Sequence, residues 1–214
     1  TKILQESKIQ CDQCKKGLFK KIELFNMMFP LKVGVTGENI AYLSCETAQN
    51  PYLSFKREFM ALRERIPFGL AMIGRAFRNE ISPRQGFFRL REFTQAELQI
   101  FFDPSMINEC DSWKSVNKYK LLIKKKDKIE SYSCDELNSK IPKFYLYNLA
   151  MVQKFYLEIL EIPKEVFRFR ELDVNERAFY NKIHFDIELN LESLGGWKEV
   201  GGVHYRTDHD LGGH

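Results

Sequence analysis

Residues 77–93, "FRNEISPRQGFFRLREF", decide what kind of sheet this chain contains. They join two apolar-rich runs of strand length, "FGLAMIGRAFRNEI" at 68–81 and "FFRLREFTQAELQIFF" at 87–102. The connecting loop, "SPRQG", is longer than a tight two-residue turn and contains the turn residues Pro and Gly. The stretch therefore predicts an antiparallel hairpin, and both of its strands carry full charges.

The charges on this hairpin fall on one face of each predicted strand. Side chains alternate between the two faces of a strand, so Arg78 and Glu80 share a face of the first strand. On the second strand the odd positions place Arg89 at one end, the Phe93 ring in the middle and the Glu97 carboxylate at the far end. The even positions, which we expect to face the core, include Phe88, Leu90, Ala96, Leu98 and Ile100.

This order of groups matches the parts of a nucleotide joined to an amino acid. The guanidinium groups of Arg78, Arg84 and Arg89 offer paired donors for phosphate oxygens. The Phe93 ring offers a flat surface for a base, and Glu97 an acceptor for an ammonium group. The alternative is a solvated sheet face with cross-strand ion pairs, which many antiparallel sheets have. The pattern alone favours that alternative.

Composition sets broad limits on the function. The chain has 33 Lys and Arg against 29 Asp and Glu, a net charge of +4, which permits an anionic partner such as a nucleotide or RNA without requiring one. With 44% hydrophobic residues we expect a globular chain with a core. Five scattered cysteines are typical of a reduced cytosolic protein, and no apolar run is long enough to span a bilayer. We therefore expect a cytoplasmic protein without a membrane segment.

Other segments predict the elements around the hairpin. Residues 22–34 predict a buried strand, and Asn50 has the position of an N-cap for a helix whose apolar residues recur up to residue 66. Residues 103–142 are polar and irregular, typical of an insertion or connecting segment. A helix is predicted at 143–162 and a strand at 185–194.

The segments "FRNEISPRQG" and "RLREFTQAELQIFFDP" resemble motif 2 of the class II aminoacyl-tRNA synthetases, in the form found in glycyl-tRNA synthetases of the archaeal and eukaryotic type. "FNMMF", "ETAQNPYLSFKR" and "GWKEVGGVHYRTDHDL" resemble further segments of that family, in the same order. The resemblance extends from about residue 25 to 214 and is weakest at 105–140. It implies an α+β fold, an antiparallel β-sheet flanked by helices. The activity it implies is ATP-dependent attachment of glycine to tRNA(Gly) through a glycyl-adenylate.

The resemblance also implies roles for individual residues. Arg78 would be the catalytic residue, holding the α-phosphate and the glycine carboxylate, while Mg2+ assists at the phosphates. Without the resemblance, Glu46 would be interpreted as an ordinary surface acid ahead of a helix. The implied ATP-binding residues are Arg78, Asn79, Glu80, Arg84, Arg89, Leu90, Phe93, Glu199 and Val200, and the implied glycine-binding residues are Glu46, Gln95 and Glu97.

The implied domain organisation is incomplete at both ends. We expect an N-terminal segment at 1–24, a catalytic core with the motif 2 hairpin at 25–104, an insertion at 105–142, and the remainder of the catalytic domain at 143–214. Motif 1, motif 3 and the anticodon-binding domain are expected outside this sequence. The complete enzyme is then expected to be a homodimer, or to have a complementary chain that carries motif 3.

Two observations are weaker. "CDQC" provides Cys11 and Cys14, half of a tetrahedral site for structural zinc, with a reduced turn as the alternative. The chain also departs from the family at Ser44 and Cys45, where Arg-Pro is usual, and at Tyr205, where an acidic residue is usual.

Two other functions remain open. One is a non-catalytic, nucleic-acid-binding accessory subunit with a class II synthetase-like fold, which would not need the arginines, ring and acids together. The other is a class II enzyme that charges a different amino acid, which the acids of "ETAQ" and "QAEL" disfavour.

Overall fold

The structure is a computed structural model that describes residues 24–83, 86–126 and 128–214. It divides into two compact units, the first made of Thr1–Thr47 with Gly74–Gln95 and the second of Ala48–Ile73 with Ala96–His214. Cys11, Cys14 and Arg84 lie outside the described residues, as does nearly all of the predicted N-terminal segment. The predicted domain boundaries stay a prediction.

The first unit contains a hairpin of two short strands, β1 (Pro30–Val33) and β2 (Asn39–Tyr42), paired antiparallel with Leu31 opposite Ala41. Gly34 and Gly37 allow the turn between them because both have positive φ angles, 97° and 68°. The predicted strand at 22–34 is confirmed in part, but its predicted burial is wrong. All four residues of β1 are exposed, because in the described chain β1 and β2 pair only with each other.

Strands β3 (Phe68–Phe77) and β4 (Glu92–Phe101) form the second hairpin. The Arg78 amide donates to the Arg91 carbonyl at 2.9 Å, whereas Gly69, at the other end of β3, lies against the backbone of Gln99. The later end of β3 thus meets the earlier end of β4, which confirms the predicted antiparallel pairing.

Both strands of this hairpin are shorter than predicted. Glu80, Arg89 and Leu90 were expected on strands but lie in the connection between β3 and β4. In this connection the Arg91 guanidinium donates to the Glu80 carbonyl at 3.1 and 3.3 Å.

The two faces of β4 are buried in the opposite sense to the prediction. The odd positions from Phe93 to Gln99 are half-buried, while the even positions Thr94, Ala96 and Leu98 are exposed, Leu98 to 61%. The reason lies at the end of the strand. Phe101 is on the odd face, and its ring packs 4.7 Å from that of Phe55.

Helix α1 (Gln49–Ala61) supplies Tyr52, Phe55 and Phe59 to an aromatic cluster that also contains Phe68 of β3 and Phe101 of β4. The predicted N-cap at Asn50 is wrong, because the helix already begins at Gln49 and the Asn50 amide lies 3.1 Å from Met72 Sδ. The helix also ends earlier than predicted, since Arg63 and Glu64 have positive φ angles, 56° and 58°.

The second unit contains a five-stranded sheet in the order β6-β5-β7-β8-β9. The pairs are antiparallel except β5 with β7, which is parallel. The strands are β5 (Lys120–Lys125), β6 (Lys128–Ser133), β7 (Phe167–Glu171), β8 (Ile183–Leu191) and β9 (Gly196–Tyr205). The predicted strand at 185–194 is confirmed as β8.

The prediction that residues 103–142 are irregular is wrong. They contain β5, β6 and helix α2 (Cys134–Leu137), which begins with a capping box between Ser133 and Glu136. In "KLLIKK" the alternate residues Leu121 and Ile123 are fully buried, although the lysines make the segment polar in composition.

Helix α3 (Lys143–Lys154) continues into a π-helical turn at Phe155–Ile159, which confirms the predicted helix. Leu146 and Leu149 of α3 pack with Phe167, Phe169 and Phe185 of the sheet in one hydrophobic core. Helix α4 (His209–Gly213) follows β9. None of the helices in the described ranges is long and apolar enough to cross a bilayer. The architecture is α+β, with antiparallel pairing and flanking helices, as predicted.

Candidate active site

Arg78 follows β3 directly and is half-buried in the first unit. Its Nε donates a hydrogen bond to the Cys45 carbonyl at 3.0 Å, and its guanidinium carbon lies 5.2 Å from the centroid of the Phe93 ring. Arg78 and Phe93, which the sequence placed on the two strands of the hairpin, are therefore in contact. A guanidinium held at Nε keeps its two terminal nitrogens as paired donors, the geometry that suits a phosphate or carboxylate.

The two residues after Arg78 take part in hydrogen bonds that fix the start of the loop. The backbone N–H of Asn79 donates to the Met27 carbonyl at 2.8 Å, and the Asn79 side chain donates through Nδ2 to the Asn26 carbonyl at 3.0 Å. The Glu80 carbonyl accepts from Arg91. Asn79 and Arg91 thus hold the base of the loop. Arg91 was not among the predicted site residues, because a guanidinium-to-carbonyl contact leaves no periodic pattern.

Gln95 connects β4 to the "ETAQ" segment. Its Oε1 accepts from the Thr47 backbone N–H at 2.9 Å and from the Thr47 hydroxyl at 3.3 Å. Thr47 is buried, and Glu46 beside it is half-buried with its carbonyl bound by the Ser44 hydroxyl at 2.6 Å. Gln95 therefore supports the segment that carries the Glu46 carboxylate.

Arg89 and Leu90 are exposed in the loop that leads to β4, and no described contact fixes Arg89. Both remain candidates on the resemblance alone. Arg84 lies outside the described residues.

Glu97 is half-buried on β4 within the second unit. Gln99, two positions along, donates through Nε2 to Glu97 Oε2 at 3.5 Å. The Tyr52 hydroxyl donates to Gln99 Oε1 at 2.9 Å. Burial, together with the Asp210 carboxylate, raises the pKa of Tyr52 to about 12, so its hydroxyl stays protonated at neutral pH.

Half-buried Arg206 and buried Asp210 form an ion pair beside Tyr52. Arg206 Nε and Nη2 bind the two Asp210 oxygens at 2.7 and 2.6 Å, and Gln49 donates to Asp210 at 3.1 Å. These hydrogen bonds, that of Arg206 first, outweigh burial and lower the pKa of Asp210. The Arg206 guanidinium also lies 4.3 Å from the Tyr180 ring centroid. The pair is a rigid anchor that the sequence analysis missed, because its members are defined by contact and not by spacing.

Glu199 and Val200 are neighbours on β9, and their side chains have different surroundings. Partial burial of the Glu199 carboxyl and the neighbouring Asp186 carboxylate raise its pKa. The Val200 side chain packs against the hydrophobic core.

A second polar cluster on β8 and β9 joins His184, His204 and Asn181. The two imidazole rings lie 4.0 Å apart, and Asn181 Nδ2 lies 3.4 Å from His184 Nδ1 and 3.2 Å from His204 Nδ1. His184 Nε2 lies 3.1 Å from Asp186 Oδ1 without hydrogen-bonding geometry. Among the residues described, no group of three or more His, Cys, Asp or Glu could hold a metal ion.

Comparison with known proteins identifies the family. The sequence profile described as "tRNA synthetase class II core domain (G, H, P, S and T)" matches residues 37–210. The chain is similar to the glycine–tRNA ligases of Pyrococcus abyssi and Thermococcus gammatolerans, each 40% identical over 100% of this chain. It is 37% identical to that of Methanococcus vannielii over 99% of this chain. The chain spans only 38%, 38% and 39% of the length of these relatives.

Proposed function

Because this chain belongs to the family of class II tRNA synthetase core domains, we propose that it activates glycine with ATP as the catalytic-domain part of a glycine–tRNA ligase. The glycyl-adenylate would then pass its glycyl group to tRNA(Gly). One observation carries the proposal. Arg78 is held between the Cys45 carbonyl and the Phe93 ring with its terminal nitrogens left to bind an anion.

Arg78 has the chemistry that adenylate formation needs. A glycine carboxylate oxygen attacks the α-phosphorus of ATP, the bond to the bridging oxygen breaks, and pyrophosphate leaves with that electron pair. The attacking carboxylate is already ionised, so no general base is required. The protein's task is to align the reactants and stabilise charge on the phosphate oxygens, which a preorganised guanidinium does.

Magnesium is proposed to enter with the nucleotide. Mg2+ in nucleotide sites is usually held by phosphates and one or two carboxylates. The described residues fit that arrangement, since they contain carboxylates such as Glu80 and Glu199 but no group of three or more His, Cys, Asp or Glu that could hold a metal ion. The ion would neutralise charge on the phosphates. Structural zinc at Cys11 and Cys14 stays a hypothesis that concerns residues outside the described part.

The remaining residues are proposed to bind either ATP or glycine. Phe93 stacks on adenine, and Glu46 and Glu97 accept the ammonium group, with Gln95 supporting Glu46 through Thr47. A filled pocket selects glycine by steric exclusion, since every competing amino acid is larger. The other proposed ATP-binding residues are Asn79, Glu80, Arg84, Arg89, Leu90, Glu199 and Val200.

The partners of the whole protein are part of the proposal. We expect glycine, ATP and tRNA(Gly) as substrates, a homodimer or a complementary motif 3 chain as the assembly, and translation in the cytoplasm as the setting.

Glycine-dependent exchange of radiolabelled pyrophosphate into ATP, measured with the full-length protein, tests this function. We expect exchange with glycine and none with alanine or serine. Exchange that depends on another amino acid would replace glycine in the proposal. Absence of exchange together with salt-sensitive nucleic-acid binding would support the accessory-subunit alternative.

A further inference from the structure

A chain of hydrogen bonds leads from helix α1 to the Glu97 carboxylate. The Tyr52 hydroxyl lies 2.9 Å from Gln99 Oε1, and Gln99 Nε2 lies 3.5 Å from Glu97 Oε2. None of the roles assigned above involves Tyr52 or Gln99.

The chemistry of the chain fixes the direction of every hydrogen bond. An ionised carboxylate only accepts, so the Gln99 group that faces Glu97 is the NH2 group. The opposite end of the amide is then the oxygen, which needs a donor, and the Tyr52 hydroxyl is that donor. Without Tyr52, the Gln99 oxygen loses the donor that fixes it, and the NH2 group is held toward Glu97 less firmly.

Tyr52 is itself held firmly. It is 8% exposed, and its ring lies edge-on to Phe101 with centroids 5.7 Å apart. The guanidinium of Arg206 lies 5.9 Å from the Tyr52 ring centroid and is fixed by two hydrogen bonds to Asp210. Because burial raises the pKa of Tyr52 to about 12, the hydroxyl remains a donor over the working pH range.

We propose that Tyr52 and Gln99 are positioning residues that orient the Glu97 carboxylate toward the amino group of bound glycine. The inference rests on the proposed function, in which Glu97 receives that amino group. It assigns a glycine-specific task to a tyrosine and a glutamine that touch neither the reacting carboxylate nor ATP. Their loss therefore weakens glycine binding and leaves the nucleotide site intact.

The test measures pyrophosphate exchange by the full-length protein and by its Tyr52→Phe and Gln99→Met variants. We expect KM for glycine to rise on the order of tenfold in each variant, the effect of one hydrogen bond to a charged group, with KM for ATP unchanged. Tyr147→Phe is the matched control, because Tyr147 is a partly buried tyrosine that packs against the hydrophobic core. We expect the control to leave both constants unchanged.

The double variant separates positioning from a general structural effect. If Tyr52 acts through Gln99, Tyr52→Phe adds nothing to Gln99→Met, and the double variant has the glycine KM of Gln99→Met alone. Additive effects, equal losses for ATP and glycine, or an unchanged glycine KM overturn the inference while wild-type exchange still upholds the proposed function. A wild-type protein without glycine-dependent exchange overturns the proposed function, and this inference with it.

Discussion

At the scale of single residues, the most informative feature is how Arg78 is constrained. Its Nε is bound by the Cys45 carbonyl and its planar group lies against Phe93, so few rotamers remain open to it. An arginine that is ordered before its ligand arrives loses less conformational entropy on binding than a free one. Such a residue suits the binding of a charged transition state.

Replacement of Arg78 by alanine tests this role. In the full-length protein, we expect Arg78→Ala to lower the rate of adenylate formation on the order of 10²-fold, as the loss of other preorganised donors does. Arg75→Ala is the matched control, since Arg75 lies on β3 and makes an exposed ion pair with Glu92 at 3.6 Å. Single-turnover measurement of pyrophosphate release separates the two. An Arg78 variant as fast as the Arg75 variant would remove Arg78 from the mechanism.

Sequence pattern found some of these residues and missed others for a physical reason. Strand alternation, a pattern local to the hairpin, marked Arg78 and Phe93 as candidates, and the family resemblance then favoured a binding site over a solvated sheet face. Tyr52 was missed because its hydrogen-bond partner lies 47 residues away, and Arg91 because it binds a backbone carbonyl. Such contacts depend on how the chain folds back, which no local periodicity records.

At the scale of elements, hydrophobic alternation predicted which segments are strands better than it predicted which face is buried. Strand β4 has apolar residues at even positions, yet Leu98 is exposed and Gln99 is half-buried. The buried side was set by Phe101 at the end of the strand, whose ring packs on α1. Burial therefore followed the neighbouring element and not the share of apolar residues on either face.

We expect the His184 and His204 pair on β8 and β9 to make stability depend on pH. His204 is exposed on β9, but desolvation where its ring meets that of His184, then the charges of His184 and Arg206, lower its pKa to about 4 against the opposing attraction of Asp186. Between pH 6.5 and about 4 the unfolded chain binds a proton at this position that the folded chain does not. The free energy of unfolding should therefore fall as pH decreases through that window.

Two measurements check this expectation. The His204 ring signals in an NMR titration should change with a midpoint near pH 4, and His204→Gln should lessen the loss of stability between pH 6.5 and pH 4. A midpoint near 6.5 would contradict the assignment. So would a variant as acid-sensitive as the wild type.

At the scale of the whole molecule, apolar burial is unevenly distributed between the two units. The hydrophobic core around Leu149, Phe167 and Phe169 belongs to the second unit. Among the described residues of the first unit, Ala76 is the apolar residue that is fully buried, while Leu31, Val33 and Ile40 are exposed. A two-stranded hairpin with exposed side chains is marginally stable by itself.

Hydrogen exchange should reveal this difference. We expect the amides of β1 and β2 to exchange through local opening at low free energy, and those of β7 and β8 to be protected up to the global free energy of unfolding. Leu149→Ala, which opens a cavity in the core, should lower the protection of β7 and β8 by about 2–5 kcal/mol and leave the exchange of β1 and β2 unchanged. Leu53→Ala is the control, because Leu53 is 65% exposed on α1 and its truncation removes little packing. Protection of β1 equal to that of β7, or a fall in both on Leu149→Ala, would mean that the β1–β2 hairpin opens only together with the core.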